Sequence, residues 1–185
     1  MSTPNEQRPK VAADPPAPHT STITWLTQRT HPAAWLWLSV AVIALDQATK
    51  FLVTRFLELY ERVEVLPVLD FTLLHNTGAA FSILAGASGW QRGFFIALGS
   101  IVSVALVVWL WRLPRGERLL PISLALIVGG AIGNVIDRVV HGYVVDFIHA
   151  HWGGAYFPAF NIADSAITIG AVLLMLDAFR EKRPH

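Results

Sequence analysis

Residues 119–138 read LLPISLALIVGGAIGNVIDR. This is about the ~20 residues a helix needs to cross a hydrocarbon layer, and it closes on Asn134, Asp137 and Arg138. The stretch therefore reads as a membrane span that carries polar side chains at its outgoing end. Working outward, three more apolar blocks of similar length lie at roughly 33–56, 92–111 and 157–177. The composition agrees: 54% of the 185 residues are apolar and only 15% are charged, which is unusual for a water-soluble domain. The fold class expected is an all-α integral membrane protein, a four-helix bundle, with short outer loops at about 57–91 and 139–156. A single membrane domain would run over 32–180.

Residues 1–31 hold five of the eleven prolines and no apolar block, so they read as a disordered tail, with 181–185 as a short end. Arg8, Lys10 and Arg29 in the tail, Arg112, Arg115 and Arg118 in one turn, and Arg180, Lys182 and Arg183 at the end make up nine of the fourteen basic residues. Their placement predicts that both termini are cytoplasmic. The net charge of +1 is spread over block ends, so nucleic acid is not an expected partner. The chain has no cysteine, which excludes thiol catalysis, disulfides and thiolate metal sites.

In the first outer loop, RVEVLPVLDFTLLH at 62–75 alternates well enough to suggest short strands, hence a small extracytoplasmic β-sheet. In the second, Trp152 and Tyr156 read as interfacial anchors. His149 and His151 read as interfacial side chains, since no helical ligand set accompanies them; no metal and no cofactor are expected.

An ionisable residue inside a span costs about 3 kcal/mol and calls for a partner or a purpose. Asp46 and Lys50, at i and i+4, are most simply an intrahelical ion pair. Asp137 beside Arg138 reads as an interfacial pair, though Arg138 could steer a substrate. Asn161, Asp164 and Thr168 share one helix face, and Asp164 is expected about 10 Å below the outer start of a helix beginning near 157. Asp146, in the second loop, can reach down to it. Neither Asp146 nor Asp164 has a cationic partner nearby in sequence, which favours a functional role. Gly129 and Gly133 form a small-xxx-small pair that lets another helix approach. From the residues alone three other readings stay open: a proton-coupled transporter using Asp46, Asp137 and Asp164, a serine-lysine peptidase with Lys50 activating Ser82 or Ser165, and a lipid-binding assembly protein.

Five motifs then stand in order: DQATK at 46–50, HNTGAAFS at 75–82, GGAIGNVIDR at 129–138, VVDFI at 144–148 and FPAFNIADSAITIG at 157–170. Together they resemble the lipoprotein signal peptidases, signal peptidase II, over about 35–180. The resemblance implies a multi-pass protein of the bacterial plasma (inner) membrane, active near the outer leaflet. It implies an aspartic endopeptidase that cuts diacylglyceryl-modified prolipoproteins before their lipid-modified cysteine, with membrane lipid as its other partner. Asp146 and Asp164 correspond to the family's catalytic aspartates. Asp46, Asn76, Asn134, Arg138 and Asn161 correspond to the family's other sensitive polar positions, and together with Lys50, Gly78 and Asp137 they are expected to be substrate-binding or site-supporting. A monomer is expected.

Overall fold

Four long apolar segments fold into four helices because a backbone in hydrocarbon must satisfy its own hydrogen bonds. The computed structural model describes residues 31–78 and 89–181. Residues 1–30 of the tail, residues 79–88 with Ser82, and residues 182–185 with Lys182 and Arg183 lie outside the described residues. The helices are α1 (Leu36–Phe56), α2 (Trp90–Arg112), α3 (Leu119–Val140) and α4 (Ile162–Glu181), with a 3-10 turn at Pro32–Trp35 leading into α1. All four are long and apolar enough to cross a membrane.

The hub is α3, which packs against each of the other three helices. Its small residues decide how close they come. A Cβ at Gly129 would sit 2.9 Å from Val42 Cβ of α1, one at Gly130 would strike Ala163 O of α4, and one at Gly133 would sit 2.7 Å from Asp46 Oδ2. Helices in lipid gain nothing by hiding apolar surface from tails equally apolar, so association rests on such close packing and on polar bonds. One of the bonds is Ser39 Oγ donating to Ala125 O at 2.7 Å.

At the end where α1 and α3 finish and α2 and α4 begin, the connections form an antiparallel sheet in the order β1-β2-β3-β4. The first two strands, β1 (Arg62–Leu66) and β2 (Leu69–Asn76), cover the alternating stretch that suggested strands. The sheet is larger than the sequence suggested: β3 (Val144–Trp152) and β4 (Ala155–Tyr156) add two strands from the second loop. Gly153 and Gly154, at φ +55° and +87°, make the two-residue turn that joins them. The fold is thus a four-helix bundle with a four-stranded sheet, and the sheet carries part of the polar centre.

The fourth helix starts later than its apolar block. Residues 157–161 are extended and bonded to β3: Phe157 N donates to Ala150 O at 2.9 Å, Phe160 N to Ile148 O at 3.0 Å, and Ile148 N to Phe160 O at 2.8 Å. With their backbone groups engaged, these residues cannot join the helix. Asn161 caps it instead, its Oδ1 accepting from Asp164 N at 2.9 Å. Asp164 therefore lies in the first turn, not two turns down.

The packing at Gly130 yields a test by thermal unfolding in detergent. Gly130→Ala should cost about 1–3 kcal/mol by forcing α3 from α4. Gly93→Ala, where nothing lies within 4 Å of the added carbon, should instead be neutral or stabilise by roughly 0.5–1 kcal/mol.

Candidate active site

The polar centre begins with one lysine. Lys50 Nζ lies 2.8 Å from Asp46 Oδ2 on its own helix, 2.9 Å from Asp137 Oδ2 on α3, and donates to Asn134 Oδ1 at 3.1 Å. Asp46 is 0% exposed, Asp137 1% and Lys50 3%. Burial of this kind is tolerated only when every charge is paired. The i, i+4 ion pair of Asp46 and Lys50 does form, and Lys50 also reaches across to the neighbouring helix.

Each of the two carboxylates has a further partner. Asp46 Oδ1 accepts from Ala163 N at 2.9 Å, which places a negative charge on the amino end of α4. Asp137 Oδ2 accepts from Val145 N at 3.0 Å, the start of β3. Ala163 and Val145 are the residues immediately before Asp164 and Asp146. The lysine cluster thereby holds the backbone at both aspartates.

Asp146 and Asp164 line one cleft of about 710 Å³ between the sheet and the helix ends. Asp146 is 3% exposed. Its two oxygens accept from Asn161 Nδ2 at 2.7 Å and Asn76 Nδ2 at 2.9 Å. Asp164 Oδ1 accepts from Asn134 Nδ2 at 2.8 Å. Three side-chain amides thus orient two carboxylates, and Asn134 connects Asp164 to the Lys50 ammonium. Burial and then the nearby Asp164 carboxylate push the Asp146 carboxyl up to about 7, against the opposing pull of the Asn76 and Asn161 amides and of Lys50. A carboxyl held there can give up or keep a proton near neutrality, which is what general acid–base chemistry needs.

All ten residues singled out in the sequence belong to this centre. Gly78 contributes backbone: its N–H donates to Asn76 Oδ1 at 3.0 Å and its carbonyl accepts from Arg138 Nη2 at 3.1 Å. Arg138 also donates to Asn134 O at 3.3 Å and lies over the Phe95 ring. Asp137 and Arg138 do not pair with each other, because consecutive helical residues point about 100° apart; one turns to Lys50 and the other to the cleft. Thr168 lines the cleft with its hydroxyl donating to Asp164 O at 2.8 Å. Ser165 Oγ donates to Asn161 O at 2.9 Å, and Lys50 has three other partners, so a serine-lysine pair is not formed at Ser165.

Gln47 was not singled out. Its Nε2 donates to Asp137 Oδ1 at 2.8 Å and Asp46 Oδ2 at 3.2 Å, completing the buried cluster; a neutral polar residue inside an apolar block was the available signal. Arg92, also unremarked, donates to Arg138 O at 2.8 Å and Val139 O at 2.9 Å, closing the carboxyl end of α3. On the sheet, buried Asp70 pairs with Arg62 at 2.6 Å and approaches His151 Nε2 at 3.2 Å. His149 and His151 both lie against Tyr156.

Comparison with known proteins places this arrangement in a family. The model described as signal peptidase (SPase) II matches residues 38–180. A lipoprotein signal peptidase of Acinetobacter baumannii is 54% identical over 156 residues, 83% of this chain and 89% of the relative. That of Pseudomonas aeruginosa is 56% identical over 151 residues, 80% of this chain and 89% of the relative. A solved structure described as a bacterial membrane enzyme superposes with a TM-score of 0.74 at 35% identity, covering 82% of this chain and 93% of that one. Because the matched residues run from early α1 nearly to the end of α4 and include both aspartates and all their side-chain partners, the chain belongs to the signal peptidase II family.

Proposed function

We propose that this multi-pass bacterial membrane protein removes signal peptides from prolipoproteins by aspartic catalysis, with Asp146 and Asp164 as the dyad. The observation that carries the reading is a pair of carboxylates from different elements, a strand and a helix amino end, lining one cleft with amide donors on both. The substrate is a diacylglyceryl-modified precursor, cut on the amino side of its lipid-modified cysteine. Its signal helix lies among the spans and its acyl chains in the lipid.

In the reaction one carboxylate takes a proton from water as the water oxygen attacks the scissile carbonyl carbon, and the other carboxyl donates its proton to the carbonyl oxygen. Collapse of the tetrahedral adduct breaks the C–N bond, and the proton taken from water passes to the leaving cysteine amine. The elevated Asp146 carboxyl suits the acid, which leaves Asp164, oriented by the Asn134 amide, to take the proton from water. Asn161 and Asn76 hold Asp146, Arg138 and the Asn76–Gly78 turn face the substrate, and Asp46, Lys50 and Asp137 support both aspartates from beneath.

Orientation follows from charge. Arg112, Arg115 and Arg118 surround the α2–α3 turn, opposite the sheet end, and the positive-inside rule places that turn in the cytoplasm. The cleft then opens near the outer leaflet of the plasma membrane, where diacylglyceryl precursors are presented. Both aspartates and their amide partners come from one copy, so the reading needs no second copy at the site.

A gel-shift assay with a diacylglyceryl-modified prolipoprotein tests the dyad. Asp146→Asn and Asp164→Asn should each lower the cleavage rate roughly 10²–10⁴-fold while the variants remain folded; normal cleavage by either would overturn the assignment. The pH profile of kcat/KM gives a second test. With Asp146 as the acid, activity should decline as pH rises through about 7, where that carboxyl loses its proton. Asn76→Ala removes a donor that favours the ionised form, so the alkaline limb should move to higher pH.

A further inference from the structure

Between α1 and β1 the chain makes a tight turn that holds Tyr60 at φ 69°, and Tyr60 is the one described non-glycine residue with positive φ. The left-handed region crowds a Cβ and is ordinarily given to glycine or asparagine. The turn is nevertheless well secured. Tyr60 N donates to Leu73 O of β2 at 2.9 Å, Glu61 N donates to Glu58 O at 2.9 Å, and Glu58 N donates to Glu61 Oε2 at 2.7 Å. Leu59 bridges to Leu73 alongside.

Glycine would serve this turn better if only the backbone mattered, so the tyrosine side chain is what the strained position retains. That side chain contributes nothing visible to the fold. Tyr60 is 71% exposed, and among the described residues its hydroxyl has no hydrogen bond and its ring has no aromatic or cationic partner. It lines the same cleft as Asp146 and Asp164, together with Phe157 and His149. These three come from the sheet and its connections, whereas Ile167 and Thr168 line the cleft one turn into α4.

We propose that Tyr60 is a substrate-contact residue, its ring packing on the peptide segment that follows the scissile bond and its hydroxyl available to that segment's backbone. The inference rests on the peptidase reading above and deepens it. A substrate whose signal helix lies among the spans leaves the cleft towards the sheet, so the residues after the lipid-modified cysteine pass the sheet-side wall. The partner is an extended peptide, which offers side-chain surface to a ring and carbonyl oxygens to a phenol. A tyrosine fixed by its backbone meets that segment at low entropic cost, because only two side-chain torsions need ordering.

The experiment compares two diacylglyceryl substrates, one ending as an amide at the modified cysteine and one continuing well beyond it, with wild type, Tyr60→Gly, Tyr60→Ala and Tyr60→Phe. Tyr60→Gly and Tyr60→Ala should each lose roughly tenfold in kcat/KM on the long substrate, chiefly through KM, and little on the short one. Tyr60→Phe should keep most of the activity. Thermal unfolding separates side chain from backbone: Tyr60→Gly should melt above Tyr60→Ala because glycine relieves the left-handed position, yet be equally impaired. Wild-type activity of Tyr60→Gly on the long substrate would overturn the inference, as would equal losses on both substrates, and either result leaves the peptidase reading standing while wild type cleaves. Failure of wild type on both substrates would remove the peptidase reading and this inference together.

Discussion

The ammonium of Lys50 between the carboxylates of Asp46 and Asp137, at 2.8 Å and 2.9 Å, is the contact on which the rest of this protein depends. Three charges in a nearly solvent-free layer are tolerable because each has a partner and a second hydrogen bond. Removing Lys50 would leave two buried carboxylates with no counter-charge between them. The layer joins α1 to α3 directly. Through Ala163 N and Val145 N it also joins both to α4 and β3. Gln47 adds a neutral amide donor, so both aspartates of the layer have more than the lysine to satisfy them.

Such a layer needs room, and the room comes from glycine. Gly133 leaves space that a side chain would take from Asp46, while Gly129 and Gly130 let α1 and α4 come against α3. Close approach and polar bonding therefore reinforce each other: the glycines bring the backbones near enough for short hydrogen bonds, and the bonds hold helices that lipid gives little reason to associate. The small-residue motif and the charged cluster are parts of one device.

Above the layer, two carboxylates are presented by elements of different kinds. Asp146 sits on a strand paired on one side with β2, its backbone opposite Leu74. Asp164 sits in the first turn of a helix whose cap is Asn161, the same asparagine that donates to Asp146. One side chain thus sets the start of α4 and the orientation of the strand-borne carboxyl. The two carboxylates are thereby fixed relative to each other before anything enters the cleft.

Four helices were legible in the sequence because length and apolarity alone govern what can span a membrane, and the polar residues inside those blocks stood out because each needs a reason to be there. The strands at 62–75 were legible from alternation. The strand carrying Asp146 was not, since VVDFI is nearly continuous in apolar residues and its period is ambiguous over so short a run. The start of α4 was hidden for a related reason: Phe157, Ala159 and Phe160 prolong the apolar block, and it is the bonds of Phe157 and Phe160 to β3 that take this stretch out of the helix. Asp137 and Arg138, adjacent in sequence, looked like partners, yet helical geometry sends them apart. The sequence by itself determined the membrane class, the helices and the identity of the polar residues, because these depend on composition and local period. Only the tertiary structure decided which of those residues meet, because Lys50 with Asp137, Asn134 with Asp164 and Asn76 with Asp146 are contacts between distant segments whose pairing depends on the packing of the whole bundle.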